Sequence, residues 1–143
     1  IKQLNGKLTS GSSAVYKGVY QGEYVVGLTY EDPSVALLED GAKNVRVVYP
    51  KEGAVWLPAA SAIIANCKNV DNAKLFMDWL ISDECQKIIA GTTNRPVNSK
   101  FPNTNKYLQP LSSINVAYED IMYTATNKNA IQKKWSDLWA KNN

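Results

Sequence analysis

The sequence contains no histidine, only two cysteines and no long apolar run. Histidine is the usual general base near neutral pH and a frequent transition-metal ligand, so its absence excludes Ser-His-Asp, Cys-His and zinc-His chemistry. Cys67 and Cys85 lack a metal-type spacing, and we expect a buried, inert pair, with a disulfide as the alternative. The longest apolar stretch, residues 54–65, is interrupted at Pro58 and falls far short of the roughly 20 residues that a membrane helix needs.

The charge balance is close to neutral for a chain of this size. Its 143 residues, 45% of them hydrophobic, correspond to one ordinary domain, and 16 Lys and Arg against 13 Asp and Glu give a net charge of +3. No segment is basic enough to indicate a nucleic-acid partner, and neither a cofactor nor a resident metal ion is expected. Functional residues are therefore sought in small polar clusters.

Helix and strand patterns alternate in the first part of the chain. A short helix is predicted from residue 14 to near Gly22, followed by a buried strand over residues 24–29. A second helix is predicted over residues 34–40 and a second strand over residues 45–49. This order predicts an α/β fold with a mostly parallel sheet flanked by helices.

The remaining chain is predicted to hold a crossing segment, two consecutive helices and a closing helix. Residues 53–65 indicate a bent strand interrupted at Pro58. Apolar positions at helical spacing predict a helix to Ile81, and Ser82 is placed to cap the next helix, which Gly91 ends. The last helix presents a wide apolar face, made by Ile131, Trp135, Leu138 and Trp139.

The first candidate ligand site is formed by Ser12 and Ser13. They lie at the start of a predicted helix, where backbone N–H groups, two hydroxyls and the positive end of the helix dipole can bind an anion. The alternative is that a serine simply caps the helix.

The second candidate site consists of Thr29, Tyr30, Glu31 and Asp32. These residues follow the first predicted strand and so lie at its C-terminal end, the edge at which open α/β sheets bind ligands. Two acids and a phenol there can coordinate a cation or accept hydrogen bonds from a polar solute. The alternative is that Asp32 caps the following helix while Glu31 is merely exposed.

A third set is aromatic and cationic. Tyr49, Trp56 and Arg95 can line a cleft, although core packing is the alternative for the two aromatic rings.

Taken together and in order, four motifs resemble a known family. GSSAVYKGVYQGEYVVGLTYEDP, VVYPKEGAVWLPAASAII, NAKLFMDWLISDECQ and NRPVN are similar to the C-terminal half of bacterial extracellular solute-binding proteins, specifically the ferric-iron-type branch that feeds ABC importers. The resemblance covers about residues 9–98. It implies a two-lobe, periplasmic-binding-protein-like fold that closes around a small-molecule or ion solute and docks on a membrane permease, without enzymatic activity.

The resemblance also implies a domain plan. Residues 1–52 would belong to the second lobe, residues 53–98 would cross the hinge and form helices of the first lobe, and residues 99–143 would return to the second lobe. Complete members are longer, so we expect a fragment of a periplasmic or extracellular, membrane-anchored receptor. Such a fragment exposes apolar faces and is expected to self-associate, with Trp135 and Trp139 among the candidates for burial.

The resemblance narrows the choice of solute. Ferric-binding members place two successive tyrosines where this sequence has Asp32 and Pro33, so the phenolate pair that favours Fe(III) is missing. Relatives with a TYEDP-like loop are similar to binders of organic or phosphorylated solutes. We therefore expect capture of a small anionic or phosphorylated solute by Ser12, Ser13 and residues 29–32. Ferric iron is the alternative within the class, and a structural or interaction domain is the alternative from another class.

Overall fold

The computed structural model describes Asn5 and residues 7–142. This part of the chain contains five α-helices and a two-stranded sheet. The helices, numbered in chain order, are α1 Ala14–Tyr20, α2 Glu31–Glu39, α3 Val70–Leu80, α4 Asp83–Ala90 and α5 Ile121–Asn142. A short 3-10 helix spans Leu111–Ser113, and the strands are β1 Ala54–Trp56 and β2 Val116–Tyr118.

The two strands run parallel, with Ala54 opposite Val116 and Trp56 opposite Tyr118. A mixture of helices with a small parallel sheet is compatible with the predicted α/β class. In the described residues the sheet has only these two short strands, and the two-lobe architecture stays a prediction. β1 comes from the predicted crossing segment, whereas β2 lies in a region for which no strand is predicted.

The predicted strand over residues 24–29 is not a strand. Beyond a turn at its start, this segment folds back over α1: the Tyr24 amide donates to the Gly18 carbonyl at 3.3 Å, and a Cβ built on Gly27 would lie 2.5 Å from Val15. A strand needs a neighbouring strand to satisfy its backbone groups, and no described strand lies beside this one. The side chain of Val25 is consequently fully exposed.

The second predicted strand, residues 45–49, also lacks strand pairing in the described chain. Its side chains alternate in exposure, with Val48 exposed and Tyr49 half-buried. The alternation is strand-like, but without a paired neighbour the segment remains irregular.

Local capping signals were predicted more successfully than the sheet. The Ser82 hydroxyl accepts from the Cys85 amide at 3.3 Å at the start of α4, and Gly91 follows the end of that helix, as predicted. Helix α2 begins at Glu31, earlier than the predicted residue 34, because Tyr30 is the last extended residue and Pro33 fits in the first helical turn. Both acids of the second candidate site, Glu31 and Asp32, therefore lie within the first turn of α2.

The apolar core of the described chain is small. Val35 of α2, Cys85 and Ala90 of α4, and Leu108 are its buried hydrophobic residues. Ile88, on the same helix as Cys85, is 56% exposed. The accessible surface is 11,451 Å², compared with about 7,300 Å² for a compact monomer of this mass. The apolar faces of these helices are therefore only partly covered by the chain itself.

Helix α5 confirms the predicted closing helix. Trp135 and Trp139 stack with ring centroids 6.2 Å apart, and Trp135 is 48% exposed. In the described chain no helix combines the length and the apolarity that crossing a bilayer requires. Cys67 and Cys85 are free thiols, so the disulfide alternative is not realised, and Cys67 is only half-buried.

Candidate functional site

Glu31 is the centre of a polar cluster assembled from distant parts of the chain. It is the first residue of α2, and its carboxylate meets Arg95 from the loop after α4 and Tyr49 from the irregular segment before β1. Glu31 and Arg95 are 64 positions apart in the sequence. Their side chains are 24% and 16% exposed, so the pair is largely shielded from water.

The Glu31 carboxylate is held by three donor groups. Arg95 Nε donates to Oε2 at 2.8 Å and Arg95 Nη2 donates to Oε1 at 2.7 Å, a fork that matches the planar guanidinium to the planar carboxylate. The Tyr49 hydroxyl also donates to Oε1. Arg95 is fixed in turn, because Nη2 donates to the Gln109 carbonyl at 2.8 Å.

These contacts set the protonation states of the cluster. Burial by itself would raise the pKa of Glu31, but the hydrogen bonds from Arg95 and Tyr49, together with the Arg95 charge, outweigh burial and lower this pKa. Burial and the hydrogen bond to Glu31 raise the pKa of Tyr49 to about 12. Near neutral pH the cluster therefore holds an ionised carboxylate, a guanidinium and a neutral phenol.

Asp32 follows Glu31 in α2 but has different surroundings. It is half-buried, and among the described residues no side chain donates a hydrogen bond to it. Burial raises the pKa of Asp32, the hydrogen bond from its own backbone N–H opposes this, and the nearby Glu31 charge adds to the rise. Asp32 therefore retains acceptor capacity that Glu31 has already used.

The predicted ligand residues fall into two patches, and a ring contact connects Tyr30 of the second patch to helix α1, which follows the first. The rings of Tyr16 in α1 and Tyr30 meet edge to face, with centroids 6.4 Å apart. Ser12 is exposed and Ser13 is half-buried just before α1, and the Ser13 side chain does not cap the helix. Ser13 therefore occupies the N-cap position, as the capping alternative expects, but its hydroxyl makes no capping hydrogen bond.

The remaining residues of the second candidate site also lie at the surface. Thr29 and Tyr30 are exposed, and Tyr30 ends the extended segment before α2. Asp32 lies within α2, so the alternative that its side chain caps this helix is wrong.

The third predicted set is divided by the structure. Tyr49 and Arg95 both contact Glu31, which joins part of the third set to the second. Trp56 lies in β1, and its ring faces Tyr118 of β2 with centroids 6.1 Å apart. Sequence reasoning missed the Gln109 carbonyl, because a backbone acceptor in a loop carries no signature in the residue type.

The loop that carries Arg95 is fastened to the far end of α2 as well. Asn105 Nδ2 donates to Glu39 Oε1 at 2.8 Å, and the Asn105 side chain also reaches the Thr92 carbonyl at 3.3 Å. Both ends of α2 are thus bonded to the segment between residues 92 and 109. The position of Glu31 and Asp32 depends on this segment.

Chemically, the site offers hydroxyls, one open carboxylate and a neutralised ion pair. In the described chain, no three His, Cys, Asp or Glu side chains are grouped closely enough to hold a metal ion. The arrangement can hydrogen-bond a polar solute through Ser12, Ser13, Tyr30 and Asp32.

Comparison with known proteins identifies the family. Residues 2–111 match the family model described as bacterial extracellular solute-binding protein. The chain belongs to this family. The match supports solute binding as the function of the class and does not distinguish its branches.

An uncharacterized protein of Haemophilus influenzae (strain ATCC 51907 / DSM 11121 / KW20 / Rd) is similar to the chain, with 30% identity over 125 residues. The aligned region covers 80% of this chain and 34% of that protein, so the chain spans about a third of the length of this curated relative. No solved structure gives a significant match.

Proposed function

We propose that the chain is part of the solute receptor of an ABC importer and captures a small anionic or phosphorylated solute without transforming it. Membership of the solute-binding family supports the class of function. The contact between Tyr16 and Tyr30 is the observation that supports the location, because it holds α1, which begins directly after the two serines, against the residue that precedes α2.

In this proposal the residues of the two patches have complementary roles. The hydroxyls of Ser12 and Ser13 donate hydrogen bonds to the anionic group of the solute. Asp32 accepts a hydrogen bond from a hydroxyl or amine elsewhere on the solute. Thr29 and Tyr30, which directly precede the two acids, contact the body of the solute.

The wider biological setting is proposed on the same basis. The partner is a membrane permease, and the receptor works in the periplasm or outside the cell, attached to the membrane. The lobe assignment remains a prediction: residues 1–52 and 99–143 in one lobe and residues 53–98 at the hinge and in the other. A second cleft wall would then come from the opposite lobe.

The proposal is tested by thermal unfolding with added solutes, since a ligand that binds only the native state raises the melting temperature. Inorganic phosphate and a panel of phosphorylated and carboxylated metabolites should raise the Tm. Replacing both serines, Ser12→Ala with Ser13→Ala, should remove that rise, whereas the exposed Ser99→Ala serves as the matched control. An unchanged rise in the double variant would refute the assignment of the serine patch.

Ferric iron is the second candidate, favoured by one observation: Tyr30 and Asp32, two positions apart at the N-cap and in the first turn of α2, both carry hard oxygen donors. The same assay separates the two candidates. Asp32→Ala should weaken binding of ferric citrate strongly and binding of inorganic phosphate little. If no solute changes the Tm, the result supports a structural or interaction domain instead.

A further inference from the structure

Two neighbouring acids at the start of α2 differ in what they contact. The Glu31 carboxylate receives the Arg95 fork and the Tyr49 hydroxyl, so both of its oxygens are engaged. The Asp32 carboxylate receives its own backbone N–H, and no described side chain donates to it. Both acids carry the same charge and occupy adjacent positions, yet only one has open acceptor sites.

Arg95 is the group that makes this difference. Its side chain is 16% exposed and is anchored to the Gln109 carbonyl at 2.8 Å as well as to Glu31. A group held from two sides cannot turn away from Glu31 without giving up a charge-assisted bond in a partly dehydrated setting. The Glu31 carboxylate is therefore bound to the fold for as long as Arg95 is in place.

We propose that Arg95 is a positioning residue of the solute site. Its hydrogen bonds occupy the Glu31 carboxylate within the fold, and this leaves Asp32 as the acid that contacts the solute. This inference rests on the proposed function for the existence of the site. It adds a division of roles that the family match and the sequence do not make, since Thr29, Tyr30, Glu31 and Asp32 formed one undivided candidate site.

The division of roles predicts which solutes the site accepts. An open carboxylate beside an internally neutralised ion pair favours a hydrogen-bond donor or a cationic group next to Asp32. The anionic part of the solute must then lie away from Asp32, toward the serine patch. The class of solute is one that carries an acidic group and a separate hydroxyl or amine.

The test uses La³⁺, a diamagnetic hard cation that binds open carboxylates, and follows the assigned side-chain carboxyl carbons of the 143-residue chain by ¹³C NMR. In the native chain the Asp32 carbon should shift on titration, while the Glu31 carbon should stay close to its starting position. Asp32→Asn should remove the local response, and Glu31→Gln, which removes the same charge one position earlier, should leave the Asp32 response in place.

Arg95→Met supplies a signature that a merely structural role would not give. Once Arg95 is removed, Glu31 is released and its own carbon should begin to shift with La³⁺, and the two acids together should bind the ion about fivefold more tightly or better. Arg95→Lys keeps the charge but not the planar fork, so the Glu31 carbon should shift with La³⁺ less than in Arg95→Met but more than in the native chain. If Arg95→Met does not fold, Arg95→Lys and Glu31→Gln still decide the question.

Any of three results would overturn the proposal. In the native chain, these are a Glu31 carbon that shifts as much as the Asp32 carbon, or an Asp32 carbon that does not shift. In folded Arg95→Met, it is a Glu31 carbon that does not shift with La³⁺. Inorganic phosphate is titrated separately. If the La³⁺ pattern holds and phosphate has no effect on the Tm, the proposed anion capture fails while the positioning role of Arg95 stands.

Discussion

Two ion pairs in the chain have equal length and very different burial. Comparing them measures how much the Glu31 cluster contributes to the free energy of unfolding. Arg95 Nη2 and Glu31 Oε1 are 2.7 Å apart with side chains 16% and 24% exposed. Lys133 Nζ and Asp137 Oδ2 are also 2.7 Å apart, but with side chains 75% and 64% exposed. Arg95→Met and Lys133→Met remove the cation from each pair while keeping a linear side chain.

The expected losses of stability differ because the two ion pairs differ in their exposure to water. Arg95→Met removes two charge-assisted hydrogen bonds to Glu31, each of which contributes about 1.5–3 kcal/mol, and leaves the carboxylate with Tyr49. Breaking a fully buried pair costs about 3–5 kcal/mol, so we expect about 2–3 kcal/mol for this partly hydrated one. At about 3 °C per kcal/mol for a chain of this length, the Tm should fall by about 6–9 °C. Lys133→Met should cost at most about 0.5 kcal/mol.

Urea unfolding followed by circular dichroism measures both losses on one scale. Arg95→Lys should fall between the native chain and Arg95→Met, because an ammonium keeps the charge but cannot reach both oxygens. In a double-mutant cycle, Glu31→Gln added to Arg95→Met should cost much less than Glu31→Gln alone. Equal losses for Arg95→Met and Lys133→Met, or additive losses in the cycle, would refute the reasoning.

The remaining predictions concern pH and association. Folding lowers the pKa of Glu31, so the stability that this group contributes is fully present above its unfolded pKa of 4.5 and is lost as the pH falls through the folded pKa. In acid, the Tm of the native chain should therefore drop more steeply than the Tm of Glu31→Gln. The pH dependence from Tyr49 has the opposite sign, because folding raises its pKa from 10.0 to about 12. The stability that Tyr49 contributes is present below pH 10 and is lost as the pH rises toward 12, and this loss should be absent in Tyr49→Phe. Light scattering should find the chain associated, with a mass above 15.8 kDa, and Trp135→Lys should lower that mass; a monodisperse native monomer would contradict the self-association prediction.

The sequence predicted best what depends on neighbouring residues. The Ser82 cap, the end of α4 at Gly91 and the closing helix with its tryptophan pair are local, because a cap or a helical face is decided within a few positions. The predicted start of α2 is three residues late, because Glu31 and Asp32 are assigned to the end of the predicted strand although acids are favoured in a first helical turn.

What the sequence did not predict depends on distant partners. Residues 24–29 have the composition of a strand, but a strand also needs a paired neighbour, and Val25 remains exposed without one. The site was predicted as separate pieces, with Glu31 in one set and Tyr49 and Arg95 in another. Only folding brings together residues 64 positions apart, and no local pattern specifies that pairing. The comparisons confirm the solute-binding family and leave its ferric-iron branch and the fragment interpretation as hypotheses.

Helix α2 is bonded at both ends to the same distant segment, and this has a consequence for how the chain opens. Glu31 is tied to Arg95 and Glu39 to Asn105, while Val35 between them is fully buried. A helix of nine residues would ordinarily fray from its ends. Here fraying at either end requires the segment 92–109 to detach, so the two should open as one cooperative unit. Their amide hydrogens should then exchange with solvent at a common rate, despite the distance between them along the chain.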